Sequence, residues 1–154
     1  MAKREFGHPN EMHKYVGQEI GVSDWVEVTQ ERINRFADAT GDHQWIHVDV
    51  ERAKKEMPDG KTIAHGFLTL SLLPVLGSQI MRVSGVSRGI NYGCNKVRFT
   101  NTVQVGSRVR GRQKLIAVEQ RGDAIQTTSE FTVEIEGQQR PALVAEWIGL
   151  LYKA

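Results

Sequence analysis

Two ionisable side chains stand five positions apart in the run Gly41-Asp42-His43-Gln44-Trp45-Ile46-His47. A carboxylate and an imidazole that converge on one water can remove a proton from it and return a proton to carbon. Histidine suits this work because its unperturbed pKa is near ~6.5. The same spacing also describes a helix cap followed by a packed histidine. A second run, Ile63-Ala64-His65-Gly66, opens the most apolar stretch of the chain. Glycine lets another group approach the backbone closely. If a helix begins there, its free N–H groups and positive dipole end can polarise a carbonyl. Equally, Gly66 can simply permit tight packing where the helix enters a sheet, and His65 reads as a buried, hydrogen-bonded histidine.

Other chemistries are less well supplied. Asp42, His43, His47 and His65 could ligate zinc, but there is no cysteine pair and no H-E-x-x-H, so no metal is expected. Cys94, the only cysteine, lacks a local base and reads as a buried apolar residue. Ser71 has no G-x-S-x-G context, and the glycines at 85, 89 and 93 do not form a phosphate-binding fingerprint.

These segments need a scaffold, and 154 residues suffice for one domain, expected over 1–154 with 1–14 as an N-terminal arm. The composition, 40% hydrophobic and 25% charged, is that of a soluble globular protein. A net charge of +2 from 20 basic and 18 acidic residues does not point to nucleic acid. No run suggests a membrane span or a secretory signal, so a cytoplasmic setting is expected.

Gly17 to Val28 reads as an extended lead-in with one short strand. Thr29 is a helix N-cap, Ile33, Phe36, Ala37 and Thr40 fall at helical spacing, and Gly41 is a stop. Asp42 to His47 are then expected in a loop. A short helix over 49–57 ends at the turn Pro58-Asp59-Gly60. From about His65 to Met81 the chain is apolar almost all round, which predicts a buried central helix, kinked where Pro74 removes the bond to the Leu70 carbonyl. The remainder reads as sheet. A strand runs from Ile90 through Phe99. An alternating pair follows about Arg121-Gly122-Asp123, with Arg112 expected opposite Glu130 and Arg108 opposite Glu134. The doubly apolar Ala142 to Tyr152 is expected as a covered strand. The Arg108–Lys114 row is expected to be a solvated face balanced by its neighbour.

The run Phe36-Ala37-x-x-Thr40-Gly41-Asp42-His43-x-x-Ile46-His47-Val48-Asp49, followed by Ile63-Ala64-His65-Gly66-Phe67-Leu68, resembles the MaoC-like (R)-specific enoyl-CoA hydratases. Ile90-Asn91-Tyr92-Gly93 brings it closest to their NodN-like branch. The resemblance implies an α+β hotdog fold, a long central helix wrapped by an antiparallel β-sheet, and a homodimer. It implies hydration of a trans-2-enoyl-CoA to the (R)-3-hydroxyacyl-CoA, with no cofactor or metal. Asp42 and His47 fall on the family's catalytic pair and Gly66 on its carbonyl-polarising N–H. Gln44, Trp45, His65 and Phe67 fall at pocket or supporting positions. Two departures stand out: Gln44-Trp45 replaces the Asn-Pro of many members, and Pro74 occupies the place of a helix serine used by some. Because hotdog folds serve several activities, an acyl-CoA thioesterase and a non-enzymatic acyl-thioester-binding protein are the alternatives.

Overall fold

The computed structural model describes residues 2–154. After a first strand β1 (Arg4–Phe6) and a 3-10 segment at Pro9–Tyr15 come the short strands β2 (Glu19–Val22) and β3 (Val26–Glu27). Five helical pieces and a short strand follow: α1 (Gln30–Thr40), α2 (Trp45–Val48), α3 (Val50–Glu56), α4 (Gly66–Ser71), α5 (Leu73–Ile80) and β4 (Met81–Val83). The chain closes with four long strands, β5 (Val86–Phe99), β6 (Arg108–Arg121), β7 (Ala124–Ile135) and β8 (Leu143–Lys153). The main sheet runs β2-β6-β7-β8-β5, with β3 also on β6, and every pairing in it is antiparallel.

The N-terminal stretch is not a loose arm. β1 pairs in parallel with β4, and Phe6 and Met12 are buried in the core. Its apolar residues follow no helical or strand period, so only the long-range partner reveals their role. The lead-in to α1 holds two short strands where one was expected: β2 pairs with Arg112 to Lys114 of β6, and β3 with Arg108 and Val109.

The predicted central helix is broken in two at Leu72. Pro74 has no N–H for the Leu70 carbonyl, and the Leu72 N–H bonds Thr69 O at 3.1 Å instead. Nor is the helix covered all round. Leu68, Leu72, Leu73, Leu76 and Ile80 face the sheet, but Phe67 is 67% exposed and Val75 43%. The sheet of one chain covers only one side of it.

Packing between helix and sheet turns on one notch. A Cβ on Gly111 would overlap the Phe131 ring and press on Leu76. Phe131, fully buried, fills that space and meets Trp147 edge-on at 5.7 Å.

The β6–β7 register differs from the expected one by two residues. Arg110 lies opposite Glu134 and Lys114 opposite Glu130, while Arg112 faces Thr132. A tight turn pairs Arg121 with Ala124, and a bulge between Leu115 and Ala117 then shifts the ladder. The charge balance survives: Arg108 pairs with Glu136, Arg110 with Glu134, and Arg112 with both Glu134 and Glu19. The basic row is thus a solvated, ion-paired face, of the kind that contributes little to stability. Among the described residues, no helix is long and apolar enough to cross a membrane.

Candidate active site

Local rules carry α1 to the site. The Thr29 side chain accepts from Arg32 N at 3.1 Å, capping the helix. At the other end Gly41 takes φ 85° while its N–H bonds Ala37 O, a left-handed stop that a side chain would strain. The chain then reverses, and Asp42 Oδ1 accepts from Gln44 N at 3.3 Å. Asp42 to Gln44 form the loop expected there, and from Trp45 the chain closes into the single turn α2, with His47 N bonded to Gln44 O.

His47 is buried within that turn. Its Nδ1 lies 2.7 Å from Ile63 O. A carbonyl oxygen can only accept, so Nδ1 carries the proton and Nε2 of the neutral ring carries the lone pair. Burial holds the His47 pKa below 6.5; the Ile63 carbonyl pulls it upward more weakly, His65 pushes it down and Asp42 pushes it up. The ring is therefore neutral at neutral pH and presents a base.

Gln30 ties the surroundings together. Its amide donates to His47 O at 2.8 Å and its Oε1 accepts from Thr62 Oγ1 at 2.6 Å. One side chain thus joins α1, α2 and the strand-like segment before α4. The sequence suggests Gln30 only as a first-turn residue, because its partners lie 17 and 32 positions away.

His65, the N-cap residue of α4, reaches back to the same place. Its Nε2 donates to Asp42 O at 2.9 Å. Its ring stacks on His47, with centroids 3.8 Å apart and planes 23° from parallel, and touches Phe36 at 4.9 Å. His65 Nδ1 is buried without a hydrogen-bond partner. Polar atoms of Asp42, His47 and His65 all lie within 4.8 Å of one another.

Three such groups at that range invite a test against a metal. Near-parallel stacked rings run their in-plane lone pairs side by side, whereas tetrahedral zinc needs them to converge. With the rings stacked as they are, the donor set does not fit zinc.

His47 and Gly66 line an open cleft of about 480 Å³, with Thr69, Phe99, Asn101 and Arg140 among its other walls. Gly66 is the first residue of α4. A Cβ there would come within 3.1 Å of the Phe99 ring, so tight packing is one reason for glycine at this position. The far rim is pinned by Asn101, whose amide donates to Gln138 Oε1 at 2.6 Å and to Arg140 O at 3.3 Å. These rim residues come from loops distant in sequence and carry no motif.

The remaining expected residues lie aside. Asp42 is exposed and borders the pair of rings instead of lining the cleft. Gln44 is exposed and precedes α2. Trp45 stacks under Arg52, with its ring centre 4.1 Å from the guanidinium. Phe67 packs edge-on to Phe99 at 5.8 Å, outside the cleft wall. His43 turns away to Asp38 at 2.9 Å, a bond that raises its pKa.

The MaoC-like domain family matches residues 11–137. The chain is 55% identical over 146 residues to the 3-hydroxyacyl-thioester dehydratase Z of Mycobacterium tuberculosis, covering 94% of this chain and 96% of that protein. It is 52% identical over 138 residues to the nodulation protein N of Rhizobium leguminosarum bv. viciae, covering 88% and 86%. Among solved structures it superposes on a monoamine oxidase regulatory protein from Archaeoglobus fulgius with a TM-score of 0.75 at 24% identity, over 100% of this chain and 99% of that one. The R-hydratase PhaJ1 of Pseudomonas aeruginosa follows at 0.70 and 19%, over 90% and 83%. With an antiparallel sheet laid over a broken helix and these matches along its length, the chain belongs to the MaoC-like dehydratase family and has that family's α+β hotdog fold.

Proposed function

We propose that the protein adds water across the double bond of a trans-2-enoyl thioester carried on coenzyme A, giving the (R)-3-hydroxyacyl thioester, and that it runs the reverse dehydration. The observation that carries this reading is the convergence of the Asp42 carboxylate and the neutral His47 ring beside a cleft whose wall includes Gly66. The name of one relative above, 3-hydroxyacyl-thioester dehydratase Z, supports it.

In this reading Asp42 and His47 hold one water between them. His47 Nε2 takes a proton from it as the oxygen bonds C3. The π electrons move through C2 to the thioester oxygen, where the Gly66 N–H stabilises the enolate. The proton then goes to C2, and the enolate electrons form the C2–H bond. No group beyond the chain's own side chains and backbone is needed. A second cavity of about 410 Å³, beside Gly77 and Trp147, would house the acyl chain.

The test is direct. Enzyme added to a trans-2-enoyl-CoA should abolish the conjugated absorbance without releasing free thiol. Thiol release would instead mark a thioesterase, and saturable binding without product an acyl-binding protein.

Two further outcomes follow from the site. Because burial lowers the His47 pKa, kcat/KM should be level through neutral pH and fall only below 6.5. An acid limb centred at or above 6.5 would contradict the buried, neutral base. The sign for stability is the same. The unfolded imidazole protonates first, so the contribution of His47 is complete above its unfolded pKa and is lost as pH falls toward the lower folded one.

His65 acts through its neighbours. His65→Gln keeps a donor for the Asp42 carbonyl, whereas His65→Phe keeps a ring but leaves that carbonyl unpaired. His65→Gln should retain about tenfold more kcat than His65→Phe, the scale of one buried hydrogen bond. Equal rates would show that the Asp42 bond does not position the pair.

Homodimer formation and a cytoplasmic setting belong to the same reading. The outer edge of β5 has no strand partner among the described residues and exposes Ile90, Tyr92 and Phe99. An apolar open edge is what a second sheet pairs with. Light scattering at micromolar concentration should give twice the chain mass, and a monomer would contradict it.

A further inference from the structure

The sheet face that looks toward the helix is apolar by alternation except at one place. Val109, Gly111 and Leu115 on β6, and Ile125, Phe131 and Val133 on β7, keep the pattern. Gln113, Thr127 and Ser129 break it, and all three are buried, Gln113 and Ser129 to 2% exposure. Gln113 Nε2 donates to Ser129 Oγ at 3.0 Å. Gln113 Oε1 is buried and has no partner. A buried amide end without a partner is costly, and natural cores rarely keep one.

These three residues share one cavity, the 410 Å³ space beside Gly77. Its other walls are largely apolar, with Met81, Val83, Val86, Ile90, Trp147 and Leu150 among them. The candidate active site and this cavity lie against successive pieces of the broken helix, α4 and α5. The cleft takes the Gly66 end. A hollow against Leu70, Leu73 and Cys94 comes next, and it shares Pro74, Asn91 and Trp147 with the polar-floored cavity. Leu70 of α4 and Pro74 of α5 both line that hollow, which thus spans the two helical pieces.

We propose that Gln113, Ser129 and Thr127 select acyl thioesters whose tail carries a hydroxyl group remote from the thioester. The inference rests on the enoyl-thioester reading above. A plain alkyl tail offers the Gln113 carbonyl oxygen no partner. A hydroxyl donates to that oxygen and still accepts from a neighbouring hydroxyl, so it satisfies the amide whichever way round it sits. Sites built around a hydrogen-bonding group discriminate against substrates that lack it.

Matched pairs of trans-2-enoyl-CoA, alkyl-ended and ω-hydroxylated, test this over a series of chain lengths with wild type, Gln113→Leu and Ser129→Ala. Wild type should favour the hydroxylated partner by about tenfold in kcat/KM at the lengths that reach the floor. Gln113→Leu should shift the ratio toward the alkyl partner. Ser129→Ala, a smaller change to the core, should narrow the preference and reads the same effect if Gln113→Leu does not fold. Hydration of alkyl tails as fast as, or faster than, hydroxylated ones at every length would overturn the tail inference and leave the hydratase reading intact. Hydration of neither would overturn that reading itself, and the tail inference with it.

Discussion

His47→Gln should hydrate a trans-2-enoyl-CoA about 10²–10⁴-fold more slowly than wild type, and Asp42→Asn should lose a comparable factor. Glutamine can still donate toward the Ile63 carbonyl that receives His47 Nδ1–H, so the turn stays tied down. It offers no basic lone pair at the Nε2 position, so the water loses its proton acceptor. Asparagine at 42 keeps an oxygen for the Gln44 N–H and removes only the charge. Asp42 is exposed, so its variant should melt close to wild type and its rate loss reads chemistry rather than folding. Rates measured by loss of enoyl absorbance, with melting curves alongside, separate the two. Undiminished turnover in both variants would remove these residues from the reaction.

Phe131→Ala should destabilise the fold by about 3–5 kcal/mol, the range for large aromatic truncations in cores. The ring is fully buried and occupies the space that Gly111 leaves free beside Leu76. Glycine has no side chain to move into the hole, and Trp147, 5.7 Å away, is held edge-on against the ring that would be removed. The site therefore cannot collapse cheaply. Such a loss is a large share of the ~5–15 kcal/mol that holds a typical domain together. Urea unfolding should show a lower midpoint with the slope unchanged. A loss below about 1 kcal/mol would mean that the helix settles into the notch and that the ring is not what sets its height.

The sequence carried most of what is local. The Thr29 cap, the Gly41 stop and the Pro58-Asp59-Gly60 turn each depend on a few neighbouring residues, and each is where its residue type demands. Pro74 announced a break, and the break is at Leu72. Strand alternation identified β6 and β7 because one face of each is buried. Asp42 and His47 lie together because a glycine stop and one helical turn span the gap between them.

What was hidden depends on distance or on exceptions. Phe6 and Met12 join the core only through pairing with a strand near residue 81. The β6–β7 register could not be read, because the bulge at Ile116 leaves no mark in composition. Gln30 and Asn101 look like ordinary surface residues until their partners, 17 to 39 positions away, are seen. Gln113 sits buried in an otherwise apolar row, and a polar residue at an inward position is its signal in the sequence. Trp45, seven residues before Arg52, lies against that guanidinium instead of lining the cleft.

The central claim is that Asp42 and His47 act as one unit on a single water. The double variant Asp42→Asn/His47→Gln, assayed on a trans-2-enoyl-CoA beside each single variant and wild type, tests it most directly. Groups that share one task lose it together, so the double variant should be no slower, within about threefold, than the poorer single one. Losses that multiply, or a wild-type protein that leaves the enoyl absorbance untouched, would contradict the account.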